Sequence, residues 1–166
     1  MATKLIPLGA RDKLGMVYAK VDADDYKELH RLAWHLTSGG YAQHSERLKR
    51  EDDFAVVRTT SMHRSILGLA SENEVDHING DRLDNRKANL RVCTRTQNQW
   101  NSKGRGGRSG FKGVHWFEPA KCWQVRISAN RKRYLIRYFH DSETAAKAYN
   151  TAAREYHGEF AYLNDI

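Results

Sequence analysis

The chain has 166 residues, with 28 Lys and Arg against 20 Asp and Glu, a net charge of +8 and a sequence pI near 9.6. That length allows one domain or two small ones, and the basic balance points to a polyanionic partner. No apolar run approaches membrane-spanning length and no signal-like segment follows Met1, so a cytoplasmic protein without a membrane partner is expected. Cys93 and Cys122 stand far apart with no CxxC pair, which argues against a structural zinc site and for reduced, part-buried thiols.

Residues 1–62 read as a mixed α/β lead-in. Leu5-Ile6-Pro7-Leu8 and Met16 to Val21 have strand character across a glycine-containing turn. Asp22 is a candidate N-cap for a helix through Tyr26, Leu29, His30 and Ala33, ending near Trp34. Gly39-Gly40 turns the chain into a strand around Tyr41-Ala42-Gln43, Phe54 to Val57 forms another, and Met62 to Leu69 has a helical pattern. His30, His35, His44 and His63 are isolated histidines; such residues usually serve as surface or hydrogen-bonded structural groups.

The chemistry concentrates between Val75 and Asn101. Val75-Asp76-His77-Ile78 is a short strand that breaks at Asn79-Gly80, a pair suited to the φ > 0 conformations of a tight turn. A polar loop follows, then a strand, Leu90 to Cys93. Thr94 with Gln97 has capping-box spacing for a short helix. Asp76 and His77 therefore end the first strand, and Asn98 lies in the first turns of the helix. An imidazole can take a proton from water near neutral pH, and a carboxylate with an amide oxygen suits Mg²⁺ or Mn²⁺. On this reading His77 is the general base, Asp76 and Asn98 are the metal ligands, and Asn89 holds the loop closed.

Asp76-His77, Asn89 twelve residues after the histidine and Asn98 nine further on resemble the ββα-metal motif of HNH endonucleases, particularly the phage and intron-encoded homing type. The resemblance spans His63 to Ser102. It implies a final histidine where this chain has Asn98, a variation that homing members share and that makes the metal site more oxygen-rich. His63-Arg64 matches the His-Arg that often precedes the motif, and Arg64 could contact a phosphate.

Residues 102–109 (SKGRGGRS) are glycine-rich, basic and without apolar side chains, the composition of a flexible linker. From Lys103 to Arg137 there are ten basic residues and one acidic, Glu118. Within this region Gly110 to Trp116, Cys122 to Ser128 and Tyr134 to Phe139 read as three strands. Period-two alternation sets Gln124 and Arg126 opposite Trp123 and Val125, and sets Arg133, Leu135 and Arg137 opposite Tyr134, Ile136 and Tyr138. A helix capped by Asp141 or Ser142 runs to about His157, with Gly158 as its stop. Its Ala145, Ala146, Tyr149, Ala152, Ala153 and Tyr156 form one stripe.

Ser109 to Val114, Tyr138-Phe139, Thr144 to Tyr149, Ala152-Ala153 and His157 to Ala161 resemble the APETALA-two, or ethylene-response-factor, DNA-binding domain. That resemblance implies DNA contacts at Lys112, His115, Arg126, Arg133 and Arg137. His115, Phe117 and Leu135 stand where that family has arginines and a tryptophan, so its recognition sequence is not carried over.

The expected fold is α+β: an N-terminal α/β extension (1–62), an HNH module (63–102), a basic linker (103–109) and a three-stranded antiparallel sheet packed on one helix (110–166). The expected activity is metal-dependent hydrolysis of double-stranded DNA by a phage or mobile-element enzyme in a bacterial host cell. One site per chain predicts a nick from a monomer and a double-strand break only from a dimer or two events. The alternative is a non-cleaving DNA-binding regulator. RNA processing is disfavoured because no pair of exposed aromatics is evident on the basic face.

Overall fold

A computed structural model describes residues 2–12, 15–49, 55–69 and 73–166. It shows an α+β chain of small antiparallel sheets and short helices that divides into two compact units, Met1–Cys93 and Thr94–Ile166. Among the described residues no helix is long and apolar enough to cross a membrane.

The first unit opens with β1 (Thr3–Asp12) paired to β2 (Gly15–Asp22). Helix α1 (Ala23–Leu29) follows, then β3 (Trp34–Leu36), β4 (Ala42–Lys49) and β5 (Ala55–Ser61) in a second antiparallel sheet. Phe54, read as the start of β5, lies outside the described residues, as does the middle of the β1–β2 turn. Two expectations change here. Helix α1 stops at Leu29, and Trp34 belongs to β3, where its indole Nε1 donates back to Leu29 O at 2.7 Å. Leu29 O also accepts from Leu32 N at 3.1 Å, so the buried indole adds a second donor at the helix end, which continuing the helix would forfeit. Asp22 makes no side-chain cap; its Oδ2 accepts from Lys87 N at 2.8 Å instead.

Helix α2 (Met62–Leu67) ends on Gly68, whose left-handed φ of 61° reverses the chain. Strands β6 (Glu74–His77) and β7 (Leu90–Cys93) then form a two-stranded ribbon. The core of the unit gathers Ile6, Leu8, Ala19, Val21, Leu29, Trp34, Ala42 and Met62, with Ile66 and Leu83 packed against it. The lead-in and the loop between β6 and β7 are thus one body. Lys20 N donates to Leu83 O at 2.7 Å and Asn85 N to Lys20 O at 2.8 Å.

The second unit begins with α3 (Arg95–Asn101), which carries the full capping box of Thr94 and Gln97. The boundary between the units therefore falls before α3, ahead of the basic stretch 103–109 where composition alone places a linker. That stretch carries a short 3-10 turn over Gly107–Ser109. Strands β8 (Val114–Phe117), β9 (Cys122–Ala129) and β10 (Lys132–Phe139) form an antiparallel sheet with β9 in the centre. Helix α4 (Ser142–His157), capped by Asp141, packs Ala145, Ala146, Tyr149, Ala152 and Ala153 onto Val114, Val125 and Ile127. Gly113 has φ +77°, and a Cβ there would overlap the Tyr149 ring, so glycine is what lets β8 approach the helix.

The pairing of β10 steps between Leu135 and Arg137. That bulge resets the alternation. Tyr138 pairs with Gln124 and Arg137 with Val125, so Tyr138 joins the face of Arg126 rather than the packing face, against the simple period-two reading.

Candidate active site and nucleic-acid surface

The site in the first unit is built on the end of β6. Asp76 and His77 are 4% and 5% exposed. The turn that follows is the expected one: Gly80 has φ +75° and its N–H closes on His77 O at 2.8 Å. The loop to β7 is tied by side-chain amides. Asn89 Oδ1 accepts from Asn79 N at 3.0 Å, while Asn89 Nδ2 donates to Asn79 Oδ1 at 3.0 Å and to Asp84 O at 2.8 Å. Asn79 Nδ2 reaches Asp84 Oδ2 at 3.0 Å, and Arg86 clamps both oxygens of the buried Asp84 carboxylate. Hydrogen bonding from Arg86 holds that carboxyl below its ordinary pKa.

His77 Nε2 faces Asn85 Oδ1 at 3.3 Å. In the tautomer that donates from Nε2 to this oxygen, Nδ1 is the nitrogen able to take a proton. Burial lowers the His77 pKa; the Asn85 hydrogen bond and the carboxylates of Asp76, Asp81 and Asp84 pull it back up. The site also holds a second imidazole. His63, on α2, stands edge-on to His77 with centroids 5.3 Å apart, and Tyr41 touches both rings at 5.5 and 6.0 Å. Burial, then the nearby positive charge of His77 and of Arg64, lowers His63 to about 4, so it is neutral at pH 7. Arg64, half-buried, sits beside it on α2.

Asp76 Oδ2 accepts from Arg91 Nε at 2.8 Å and Nη2 at 2.6 Å across the β6–β7 ribbon. Among the described residues no group of three His, Cys, Asp or Glu side chains could hold a metal ion. Asp76, already steadied by a guanidinium, is a hard oxygen ligand of the kind that Mg²⁺ or Mn²⁺ takes alongside water and phosphate. It does not suit a closed zinc site. Asn98 lies on α3 in the second unit, its N–H bonded to Thr94 O at 3.0 Å.

The sequence marks Tyr41 only as part of a strand and His63 only by its place ahead of the motif, and it does not mark Asn85. Asp84-Asn85, two polar residues each 1% exposed, carries one retrospective signal: an acidic-amide pair inside a turn-rich loop beside a candidate base.

In the second unit, register sets His115 opposite Gln124, Arg126 opposite Leu135 and Ser128 opposite Arg133. His115, Arg126 and Arg133 therefore share one face; burial and the charges of Arg126 and Arg133 lower the His115 pKa. Arg137 is exposed on the edge strand, across from Val125. A cleft of about 450 Å³ runs along this unit, lined in part by Gln99, Trp100, His115, Arg126 and Arg131. Lys112 departs from the expected DNA contact. Its ammonium is turned inward and donates to the carbonyls of Gln99, Trp100 and Ser102 at 3.3, 2.7 and 2.7 Å. Aromatics also reach this face: the rings of half-buried Phe117 and exposed Tyr138 lie 5.4 Å apart.

Comparison with known proteins bears on the same region. The HNH endonuclease family model matches residues 69–100, which contain His77, Asn89 and Asn98. The chain is 35% identical over 88 residues to protein 3.8 of Escherichia phage T7, covering 52% of this chain and 72% of that protein. It is 27% identical over 155 residues to an uncharacterised HNH endonuclease of Acanthamoeba polyphaga mimivirus, covering 90% of this chain and 75% of the relative. No solved structure matches.

Proposed function

We propose that this chain, which carries an HNH endonuclease domain over residues 69–100, is a metal-dependent DNA endonuclease of the phage or mobile-element homing type. The observation that carries this reading is His77: a buried imidazole with Nε2 3.3 Å from Asn85 Oδ1, at the mouth of a loop tied shut by Asn89. A base so held needs no reorganisation before it accepts a proton from the attacking water. Asp76 and Asn98 are the residues that would hold Mg²⁺ or Mn²⁺, with Arg91 orienting the carboxylate. Bound there, the cation supplies charge stabilisation for the phosphate and the departing 3′ oxygen. Arg64, next to the His63–His77 pair, is the candidate phosphate contact from α2.

Targeting falls to the second unit. Three antiparallel strands backed by one alanine-rich helix support an APETALA-two-like mode of binding, with Arg126, Arg133 and His115 on the open face and Arg137 at the edge. The Phe117–Tyr138 pair favours a second reading of that face as a platform for unstacked bases of a single strand. Tighter binding of single-stranded than duplex oligonucleotides would establish the second reading. One base per chain predicts a nicking monomer, acting in the cytoplasm of a bacterial host. Supercoiled plasmid incubated with Mg²⁺ or Mn²⁺, with EDTA controls, tests the activity: conversion to open circles is expected. Binding without any cleavage would leave a DNA-binding regulator.

A further inference from the structure

Helix α3 has seven residues, too few to persist alone in water, and its C-terminal end is closed locally at Gln99 O, which accepts from Ser102 N at 3.3 Å and Ser102 Oγ at 2.6 Å. Other parts of the second unit supply what it lacks. The Lys112 ammonium sits over the C-terminal end of α3, bonded to the Gln99, Trp100 and Ser102 carbonyls, with the Tyr162 ring 5.4 Å away. Trp100 stacks on His157 of α4, centroids 4.4 Å apart and planes 11° from parallel. Tyr162 N donates to Trp100 O at 3.3 Å.

Lys112 is itself fixed. Its backbone N–H donates to Asn164 Oδ1 at 2.7 Å, and its carbonyl accepts from Asn164 Nδ2 at 3.1 Å. The buried Asn164 is in turn locked to Asn150 of α4 through two bonds, 2.7 and 2.9 Å. His157 Nε2 donates to Ser128 O on β9 at 2.9 Å, which joins the stack to the sheet. Each link runs from α3 into elements that carry the basic face.

We infer that Lys112 is a positioning residue for α3, and through it for Asn98, so that the helix bearing Asn98 and the DNA-binding sheet move as one body. This rests on the reading of Asn98 as a cation ligand. A cation at a helix C-terminus meets both the orphan carbonyls and the negative end of the helix dipole, and here desolvation strengthens the attraction. Burial lowers the Lys112 pKa to about 8, in keeping with an ammonium enclosed by protein rather than waiting for a phosphate. Lys112 therefore acts on the chemistry without touching DNA.

The test uses the full chain with Lys112→Met and Lys112→Arg, read by hydrogen exchange, DNA affinity and single-turnover cleavage. In Lys112→Met the amides of residues 98–101 should exchange about tenfold faster or more, while those of β9 stay protected. The DNA Kd should change less than about twofold, and cleavage at saturating DNA should slow about tenfold. Lys112→Arg, which keeps a cationic donor, should restore part of both α3 protection and rate. Trp100→Leu, which removes the stack but leaves the Lys112 turn alone, should reproduce the α3 exchange. Unchanged α3 exchange overturns the inference, as does a raised Kd with unchanged rate at saturation, the signature of a direct phosphate contact. Loss of β9 protection in both variants would overturn it too, because the effect would then not be confined to α3. Asn98→Ala run in parallel separates the two readings. If that variant cuts normally, Asn98 is no ligand, yet the exchange data still decide whether Lys112 holds the helix.

Discussion

The imidazoles of His63 and His77 stand edge to face, 5.3 Å apart at 88°, one from α2 and one from the end of β6. Neither ring can become charged without raising the cost of charging the other, so the pair is built to stay neutral at the pH where a base is needed.

The stability of the protein should follow His63. Its folded pKa of about 4 lies below the unfolded 6.5, so between those values the unfolded chain binds a proton that the folded chain does not. Stability is full above pH 6.5, falls as pH drops towards 4, and loses nothing more to this group below 4. The loss is on the order of 3 kcal/mol. Thermal melts across pH 7 to 4 check it, and His63→Phe should flatten the slope in that window.

His77→Ala should lower cleavage by about 10²–10⁴-fold, the usual contribution of a general base, with little change in DNA binding. Wild-type rates from this variant in a single-turnover assay would remove His77 from the mechanism.

Asp76→Ala and Asn98→Ala should both lose cleavage, Asp76 more severely because it is the one charged ligand proposed. The donor set is open and oxygen-based, so EDTA should stop cleavage yet leave the melting temperature unchanged. A protein that copurifies with zinc and unfolds on chelation would contradict the assignment.

Asn89→Ala removes three hydrogen bonds that close the loop beside His77. Leaving the buried Asp84 carbonyl unpaired should cost about 1–3 kcal/mol, and cleavage should fall with it. Denaturant melts give the first quantity. Lost activity with intact stability would indicate a direct role in the reaction.

Arg126→Ala and Arg133→Ala should weaken DNA binding and make it less sensitive to salt. Removing a guanidinium that neutralises one phosphate should reduce the slope of log K against log salt by about 0.9. Cleavage at saturating DNA should be unchanged, and affinities measured across a salt series decide the matter.

What the sequence determined by itself was local. The Thr94–Gln97 capping box, the Asn79-Gly80 turn after β6 and the alanine stripe of α4 each depend on residues within a turn or two of one another, so spacing alone specifies them. The HNH match over residues 69–100 was legible because linear spacing along the chain needs no tertiary contact. Tertiary structure decided what required residues from afar. Tyr41, His63 and Asn85 converge on His77 only when α2, β4 and the β6–β7 loop pack, and only that packing strips water from the imidazoles and lowers their pKa. Trp34 left the helical pattern because its indole could cap Leu29 from a neighbouring strand. One register step in β10 carried Tyr138 to the basic face, since alternation counts residues while pairing counts hydrogen bonds. Lys112 reads as a surface charge until α3 is docked, when the carbonyls of Trp100 and Ser102 at the helix end come within 2.7 Å of its ammonium.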